Sequence, residues 1–449
     1  MAALLLGAAL ALTLPPFAWG WLAPLPLALL LRNWSGPHTA RSAFQAGLGF
    51  WGLHLIWLPQ SFATMFGPLG ALPFVPMIAA EAGFWALLAG LLGRRGLALV
   101  GGWILLDYLR ANLGVLAFPW GDLGYALTDA PGRLLAAAGG VHLLTLVVFL
   151  TAYAVARGRY LALVPWALLW LLPLPQVPAR EQALLVQGAI DPLAKVQGAD
   201  SKRRYRELTR AGLAENPGAR LVVWPETAVP QLPQGIGSGL GSRALVAGVA
   251  AYEGGYRNRI VWWQAGEVRA VYDKHRLVPF GEFFPWRPVL GWVYGYFFDA
   301  LGLGPLADTV PGERVQPLGP YGGYVCYESV FPGIARRLVR EGARVLVNVS
   351  NDAWFGPSFG AAQHFAMGRL RAVETGRWLL RAGNDGITAV VDPYGRVTAR
   401  LERGRPGVLV GAYALLDGRT PYVRLGEAPV FLLALGLLLF GRAPRRGPF

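Results

Sequence analysis

The chain has 449 residues, 54% of them hydrophobic and only 15% charged, with a mean hydropathy of +0.40; this is too apolar for an ordinary soluble domain and suggests a membrane protein. The net charge of +15 comes from 41 Lys+Arg against 26 Asp+Glu, and nearly all of it is arginine, lysine occurring only at Lys195, Lys202 and Lys274. Those arginines stand at the ends of apolar stretches, so they read as membrane-topology signals rather than as a nucleic-acid footprint, and the lone cysteine, Cys326, excludes any intrachain disulfide.

The opening "MAALLLGAALALTLPPF" lacks the basic start of a secretory signal and a clear cleavage site, so a retained membrane segment is expected. A span needs ~20 mostly apolar residues, fewer beside interfacial aromatics. Stretches 2–14, 18–31, 43–60, 71–93, 96–112, 134–156 and 160–175 qualify as seven spans before residue 177, and 428–441 ("APVFLLALGLLLFG") as an eighth. With the N-terminus cytoplasmic, the cytoplasmic connections carry Arg32 and Arg41, Arg94 and Arg95, Arg157 and Arg159, and a basic tail with Arg442, Arg445 and Arg446, while the opposite loop 60–70 carries no Lys or Arg. That positive-inside pattern puts both termini in the cytoplasm and everything between the seventh and eighth spans outside it. The connection 110–133 fits less cleanly, its Arg110 and Arg133 being offset by Asp122 and Asp129. Merging the first two spans across Pro15-Pro16 would reverse the orientation, and the arginine pattern argues against it.

Residues 180–420 change character. Short β-rich runs ("QALLVQGAI", "ARLVVWPE", "ALVAGVAAYE", "NRIVWWQ", "EVRAVYDKH", "YVCYE", "ARVLVNVS", "ITAVVDP") surround two helical patterns, "GIARRLVREG" and "AAQHFAMGRLRAVETGR", and together they make one α/β domain. The expected organisation is a membrane domain at 1–177, an α/β domain at 178–420, and a last span with its basic tail at 421–449.

Three positions in the α/β domain share one context, a functional side chain closing an apolar strand before a turn: Glu226 in "LVVWPETAVP", Lys274 in "VYDKHRLVPFGEFFP" and Cys326 in "YVCYESVFPG". Strand ends at one sheet edge are where α/β folds gather catalytic groups. A thiol attacks an acyl carbonyl as the thiolate, so a base must take its proton, and Glu226 can do so. The developing oxyanion needs fixed positive charge and N–H donors, which Lys274 and the backbone N–H of Tyr327 or its neighbour can supply. Glu282 can hold Lys274 in place or assist proton transfer. The plainer readings are a buried cysteine, a turn-capping Glu226 and a surface ion pair at Lys274. Each is ordinary alone, but three aligned strand-end motifs are improbable by accident.

"WPE", "DKHRLVPFGEFFP" and "VCYES", in this order on a domain of this size, resemble the Glu-Lys-Cys triad of the nitrilase (carbon–nitrogen hydrolase) superfamily. Seven spans before that domain and one after it resemble the membrane-embedded lipoprotein N-acyltransferases of that superfamily, as do "FPWGDLGYALTD" (118–129), "VQGAI", "NVSNDAWFG" (348–356) and "RAVETGRWLLRAGNDGITAVVDPYGRV" (371–397). The resemblance implies a four-layer α-β-β-α sandwich beside a polytopic helical membrane domain. It implies Glu226 as general base, Lys274 as oxyanion stabiliser and Cys326 as nucleophile, with Glu282, Tyr327 and Glu328 on positions the family also needs. The implied reaction is ping-pong. Cys326 takes an acyl chain from a membrane phospholipid, and the thioester is attacked by the N-terminal α-amine of a diacylglyceryl-cysteine on a bacterial lipoprotein. No metal or organic cofactor is implied. Two departures stand out: Lys195 is followed by Val196 where the family commonly has tryptophan, and Asp385 in "NDG" replaces a neutral polar residue.

Between Glu282 and Gly312 runs "FFPWRPVLGWVYGYFFDALGLGPLA", too aromatic for a solvated loop. A core-packing insertion is one reading. The preferred one is an arm at the bilayer surface presenting Trp286, Trp292, Tyr294, Tyr296, Phe297 and Phe298 to lipid. An alternative activity is a membrane-tethered amidase that passes its acyl group to water with the same triad. A transporter or scaffold would carry ionisable residues within several spans; only Glu81 and Asp107 stand out, while His54 and His142 read as lone histidines satisfied in helix packing rather than as ligands. A Cys–His pair with His275 or His364 is a further option, although His275 directly follows Lys274 and a strand sends neighbours to opposite faces. No cysteine or histidine spacing suits zinc.

Overall fold

The structure, a computed structural model, describes residues 1–191, 200–232, 237–300 and 307–441. Lys195, Val196, Arg442, Arg445, Arg446 and part of the aromatic segment lie outside the described residues. The chain divides into a helical unit (1–174, 357–370 and 425–449) and an α/β unit (175–356 and 371–424).

In the helical unit the apolar stretches form α1 (Ala2–Ala11), α2 (Pro24–Asn33), α3 (Thr39–His54), α4 (Leu58–Phe66), α5 (Phe74–Leu92), α6 (Leu97–Ala111), α7 (Ala136–Ala156) and α8 (Leu163–Leu171), with a further helix at Ala428–Phe440. Two of the expected boundaries are corrected. The stretch 43–60 is not one continuous helix, because α3 stops at His54 and α4 begins at Leu58 with Pro59 in its first turn, where a missing N–H costs nothing. The expected loop 60–70 is therefore largely helical. Among the described residues, two helices are long and apolar enough to cross a membrane, Pro68–Arg95 and Pro131–Ala156, while Ala2–Ala11, Tyr160–Leu171 and Ala428–Phe440 are shorter apolar helices.

Charges inside this unit are paired, as burial demands. Arg110 Nε lies 2.8 Å from Glu81 and its Nη1 3.3 Å from Asp107, the guanidinium sits 4.6 Å above the Trp51 ring, and its Nη2 donates to Trp120 O at 3.1 Å. His142 Nδ1 meets Glu427 at 2.7 Å. Gln363 Oε1 accepts both the Trp57 and Trp120 indole N–H groups at 2.9 Å. Glu81, Asp107, His54 and His142 thus form ion pairs and hydrogen bonds within this unit.

The α/β unit contains two sheets. The first holds β1 (Glu181–Gln187), β2 (Leu221–Val229), β3 (Ala244–Tyr252), β4 (Tyr256–Gln264), β5 (Glu267–Asp273) and β11 (Gly407–Tyr413), in the order β11-β1-β2-β3-β4-β5. The second holds β6 (Tyr321–Val325), β7 (Val345–Ser350), β8 (Leu379–Gly383), β9 (Thr388–Val391) and β10 (Val397–Leu401), in the order β10-β9-β8-β7-β6. Alternation along each strand sorts the side chains between faces. Ala183, Leu185, Leu221, Val223 and Val246 meet Val325, Val347, Val349, Leu380 and Val390 in one core between the sheets. Leu184, Val186, Val222, Trp224 and Leu245 face outward onto Tyr205 and Leu213 of the helix Ser201–Glu215, whose first turn is capped by Asp200 accepting from Arg203 N at 2.9 Å. On the other side lies the helix Pro332–Arg340, opened by proline in its first turn, with Ile334, Ala335, Leu338 and Val339 buried and arginines outward. The unit is therefore layered helix, sheet, sheet, helix. The sequence reading overlooked β8, β10, β11 and the helix Ser201–Glu215. In β8 the obstacle is Arg381, a charge in the middle of a fully buried strand.

Candidate active site

Glu226, Lys274 and Cys326 are set by three different local devices. Cys326 directly follows β6 at φ 45°, a left-handed backbone that costs a non-glycine residue of order 1–3 kcal/mol and clusters at functional sites. Lys274 directly follows β5, with its N–H donating to Asn258 O at 2.8 Å and its carbonyl accepting from Gly312 N at 2.8 Å. Glu226 lies inside β2 rather than at its end, where the β2–β3 register shifts between Trp224 and Val229. Such an irregularity re-aims a side chain, and Thr227 takes φ 44° to follow it. Gly248 on β3 accommodates the detour, since a Cβ there would collide with the Pro225 carbonyl oxygen and Glu226 Cα.

Lys274 is 1% exposed, with its ammonium 2.7 Å from Glu282 Oε1 and 3.5 Å from Glu226 Oε1. Asn258 Nδ2 bridges the two carboxylates, donating to Glu226 Oε1 at 2.7 Å and Glu282 Oε1 at 3.4 Å, and Val278 N holds the other Glu282 oxygen at 2.8 Å. Glu226 Oε2 is buried and has no hydrogen-bond partner among the described residues. Burial works against the Lys274 ammonium, but the Glu282 and Glu226 carboxylates outweigh it and hold its pKa above the ordinary lysine value. Burial raises the Cys326 thiol pKa and the Glu226 charge raises it further, while Lys274 and a hydrogen bond with Ser350 pull it down. The thiolate is therefore disfavoured, and a nucleophilic role for this thiol would call for a base close by.

Glu328 does something the sequence did not disclose. It is 1% exposed; its Oε1 accepts from Tyr272 Oη at 2.6 Å, His275 N at 2.8 Å and Arg276 N at 3.1 Å, and its Oε2 from Val325 N at 2.8 Å. One carboxylate thus ties the turn carrying Cys326 to the segment carrying Lys274. His275 is occupied elsewhere, its Nδ1 lying 2.7 Å from Gly312 O. Tyr327 is half-buried, its ring edge-on to Phe331 at 5.2 Å.

Three residues that the sequence reading missed lie close behind Cys326. The Asp352 carboxylate lies within 4.8 Å of Cys326 Sγ. Arg381 Nη2 grips its two oxygens at 2.9 and 2.7 Å and also donates to Ser350 Oγ at 3.2 Å, while Arg381 Nη1 bonds Asn348. Arg381, Asp352 and Ser350 are all fully buried, and Gly386 leaves room for the carboxylate, since a Cβ there would strike it. A charged residue inside an apolar strand and a polar "NVSND" closing the next strand were the available signals. Arg381→Met strands the Asp352 carboxylate in the core and should cost about 3–5 kcal/mol, read as a lowered unfolding temperature; Arg381→Met with Asp352→Asn should recover part of it. Asp385 is a turn tie on the surface, accepting from Gly404 N at 2.9 Å and lying 3.7 Å from Arg403.

The aromatic segment is anchored by Arg287 to Asp308 at 2.7 Å and forms the helix Arg287–Ala300. Its i, i+4 faces differ. Trp286, Trp292, Tyr296 and Phe297 are 53%, 77%, 72% and 54% exposed, whereas Phe298 is 7% exposed. Tyr294 and Phe298 pack on Phe284 with ring centroids at 5.2 and 4.9 Å. The outward set is thus four residues rather than six, because Tyr294 and Phe298, one turn apart on the same face, pack inward onto Phe284.

Two family models match the chain. Carbon-nitrogen hydrolase covers residues 239–419, which places the α/β unit in that class of enzymes, and apolipoprotein N-acyltransferase N-terminal domain covers 6–154. An apolipoprotein N-acyltransferase from Azotobacter vinelandii is 34% identical over 99% of this chain and 96% of its own length, and one from Methylococcus capsulatus is 34% identical over 96% and 93%. The chain belongs to the apolipoprotein N-acyltransferase family. Among solved structures, an amidase of the nitrilase superfamily from Nesterenkonia AN1 is 21% identical over 58% of this chain and 99% of that one, with a TM-score of 0.41.

Proposed function

We propose that the chain is a phospholipid-dependent acyltransferase that acylates the N-terminal α-amine of diacylglyceryl-cysteine on bacterial lipoproteins, working through a thioester on Cys326. The observation that carries the reading is the buried ammonium of Lys274 shared by Glu226 and Glu282, with the Lys274 and Glu226 charges both acting on the Cys326 thiol. In the first half-reaction Glu226 Oε2, free of partners among the described residues, takes the thiol proton as Sγ attacks the donor ester carbonyl. Lys274 and the Tyr327 N–H stabilise the oxyanion. The carbon–oxygen bond then breaks, and the proton passes from Glu226 to the departing lysophospholipid oxygen. In the second half-reaction the acceptor amine attacks the thioester, the carbon–sulfur bond breaks, and Glu226 receives the amine proton and returns one to Sγ. Glu282 fixes Lys274, and Glu328 fixes the turn that carries Cys326.

In this proposal the catalytic domain spans 178–420 on the extracytoplasmic side of the inner membrane. Eight helical spans frame it, with the connections that carry Arg32, Arg41, Arg94, Arg95, Arg157 and Arg159 in the cytoplasm. The helix Arg287–Ala300 rests on the bilayer through its outward aromatics. Incubating purified protein with phospholipid vesicles and a diacylated lipopeptide tests the activity: triacylated lipopeptide is the expected product, and release of free fatty acid alone would favour the tethered hydrolase. Trp292→Ser with Tyr296→Ser should slow acylation from vesicle phospholipid several-fold while leaving hydrolysis of a short soluble thioester or nitrophenyl ester unchanged. An equal loss on both substrates would remove the lipid-surface role.

A further inference from the structure

β6, β7 and β8 run parallel, so the ends of β6 and β7 that lead to Cys326 and Ser350 lie across the sheet from the ends where the strands begin. The five-residue rise from Val345 to Ser350 is about 17 Å. At the starting end lies a cleft of about 350 Å³ lined by Arg344, Arg377, Arg419 and Arg424 with one acid, Asp417. Arg377 is 4% exposed. It donates to the carbonyls of Ala343 at 3.0 Å, Thr375 at 3.4 Å, Gly376 at 3.2 Å and Gly418 at 2.6 Å, and among the described residues it has no carboxylate partner. Burial lowers its pKa; Asp417 opposes this, and the like charges of Arg344 and Arg419 add to it. Arg344 Nη2 pairs with Asp417 at 2.8 Å, but its Nε is buried with no partner among the described residues. Arg419 Nη2 donates to Arg340 O at 2.7 Å, and Arg424 is exposed.

Four guanidinium groups thus face one carboxylate in a concave site, and a buried cation without a counter-ion is an unfavourable arrangement unless an anion completes it. Guanidinium forks match phosphate oxygens in a bidentate way that an ammonium does not. In the sequence, Arg424 stands four residues before the apolar helix Ala428–Phe440. We propose that this cleft binds a phosphate group, carried by an anionic phospholipid headgroup or as a free anion, at a site separate from the catalytic centre. A basic pocket of this kind suits a lipid phosphate. Arg377 also clamps three segments through carbonyls, so the charges to test are those of the less buried Arg344 and Arg419.

The test is native mass spectrometry of the full chain in detergent, titrated separately with phosphatidylglycerol, phosphatidylcholine and inorganic phosphate. Arg344→Gln with Arg419→Gln should weaken the phosphatidylglycerol adduct by roughly tenfold or more and leave phosphatidylcholine binding unchanged, and Cys326→Ala should not affect it. Asp417→Asn, which removes the competing carboxylate, should tighten the same adduct. A phosphate adduct that forms without lipid and displaces phosphatidylglycerol identifies the free anion as the ligand, whereas indifference to millimolar phosphate identifies the headgroup. Unchanged phosphatidylglycerol and phosphate binding in the double variant, at an unfolding temperature matching wild type, would overturn the proposal. If the double variant does not fold, absence of any gain in Asp417→Asn would overturn it.

Discussion

Glu226→Gln is expected to lower the rate of Cys326 acylation by phospholipid by roughly 10²–10⁴-fold, the usual worth of a positioned general base. The side chain keeps its shape and its Oε1 contact with Asn258, so the loss is confined to proton transfer. The electrostatics make the test sharper. The Glu226 charge is one of the influences holding the thiol pKa high, so its removal should make the resting thiol more acidic. Alkylation of Cys326 by iodoacetamide, which needs only the thiolate, should therefore quicken in Glu226→Gln while acyl transfer collapses. In the wild type the raised thiol pKa means that alkylation should climb with pH through the alkaline range without levelling off near the ordinary cysteine value. Stopped-flow acylation and alkylation rates on the same samples separate the two effects. Parallel loss of both would mean that Glu226 merely holds the site together.

Lys274→Met should be the more damaging change overall. The methionine fills the space of the aliphatic stem, but two carboxylates, Glu226 and Glu282, lose the ammonium between them in a site where Lys274 is 1% exposed. Breaking such a buried pair costs about 3–5 kcal/mol, and losing an oxyanion contact costs a further 10²–10³ in turnover. Lys274→Met with Glu282→Gln should recover much of the unfolding temperature and none of the activity. Recovery of activity in that pair would show that Lys274 serves stability alone.

The functional residues differ in how openly the sequence displays them. Lys274 and Cys326 stand where an apolar run ends in turn residues, a punctuation that survives in one dimension, and Glu226 shows itself through the same "WPE" break even though the strand continues past it. Asn258, Tyr272 and Arg381 are invisible for the opposite reason: each sits within a strand. Asn258 shares a strand face with the core residue Ile260, two positions on, and only the pairing of β3, β4 and β5 brings it to the carboxylates. Arg381 breaks the apolar pattern of β8, so the strand itself was passed over, and its partner Asp352 follows a different strand by a register that sequence does not specify. The helix Ser201–Glu215 is polar enough to hide its buried stripe of Tyr205, Thr209 and Leu213. In the aromatic segment, composition announced a surface element, but which of Tyr294, Tyr296, Phe297 and Phe298 faces outward depends on helical phase.

The most direct measurement is the intact mass of the purified wild-type chain and of Cys326→Ala after mixing with phospholipid vesicles in the absence of acceptor. The account predicts a mass increase of one acyl group on the wild type alone, discharged on adding a diacylated lipopeptide and persistent in buffer. An adduct on both proteins, or on neither, would contradict a thioester at Cys326; an adduct lost to water as fast as to the amine would contradict acyl transfer.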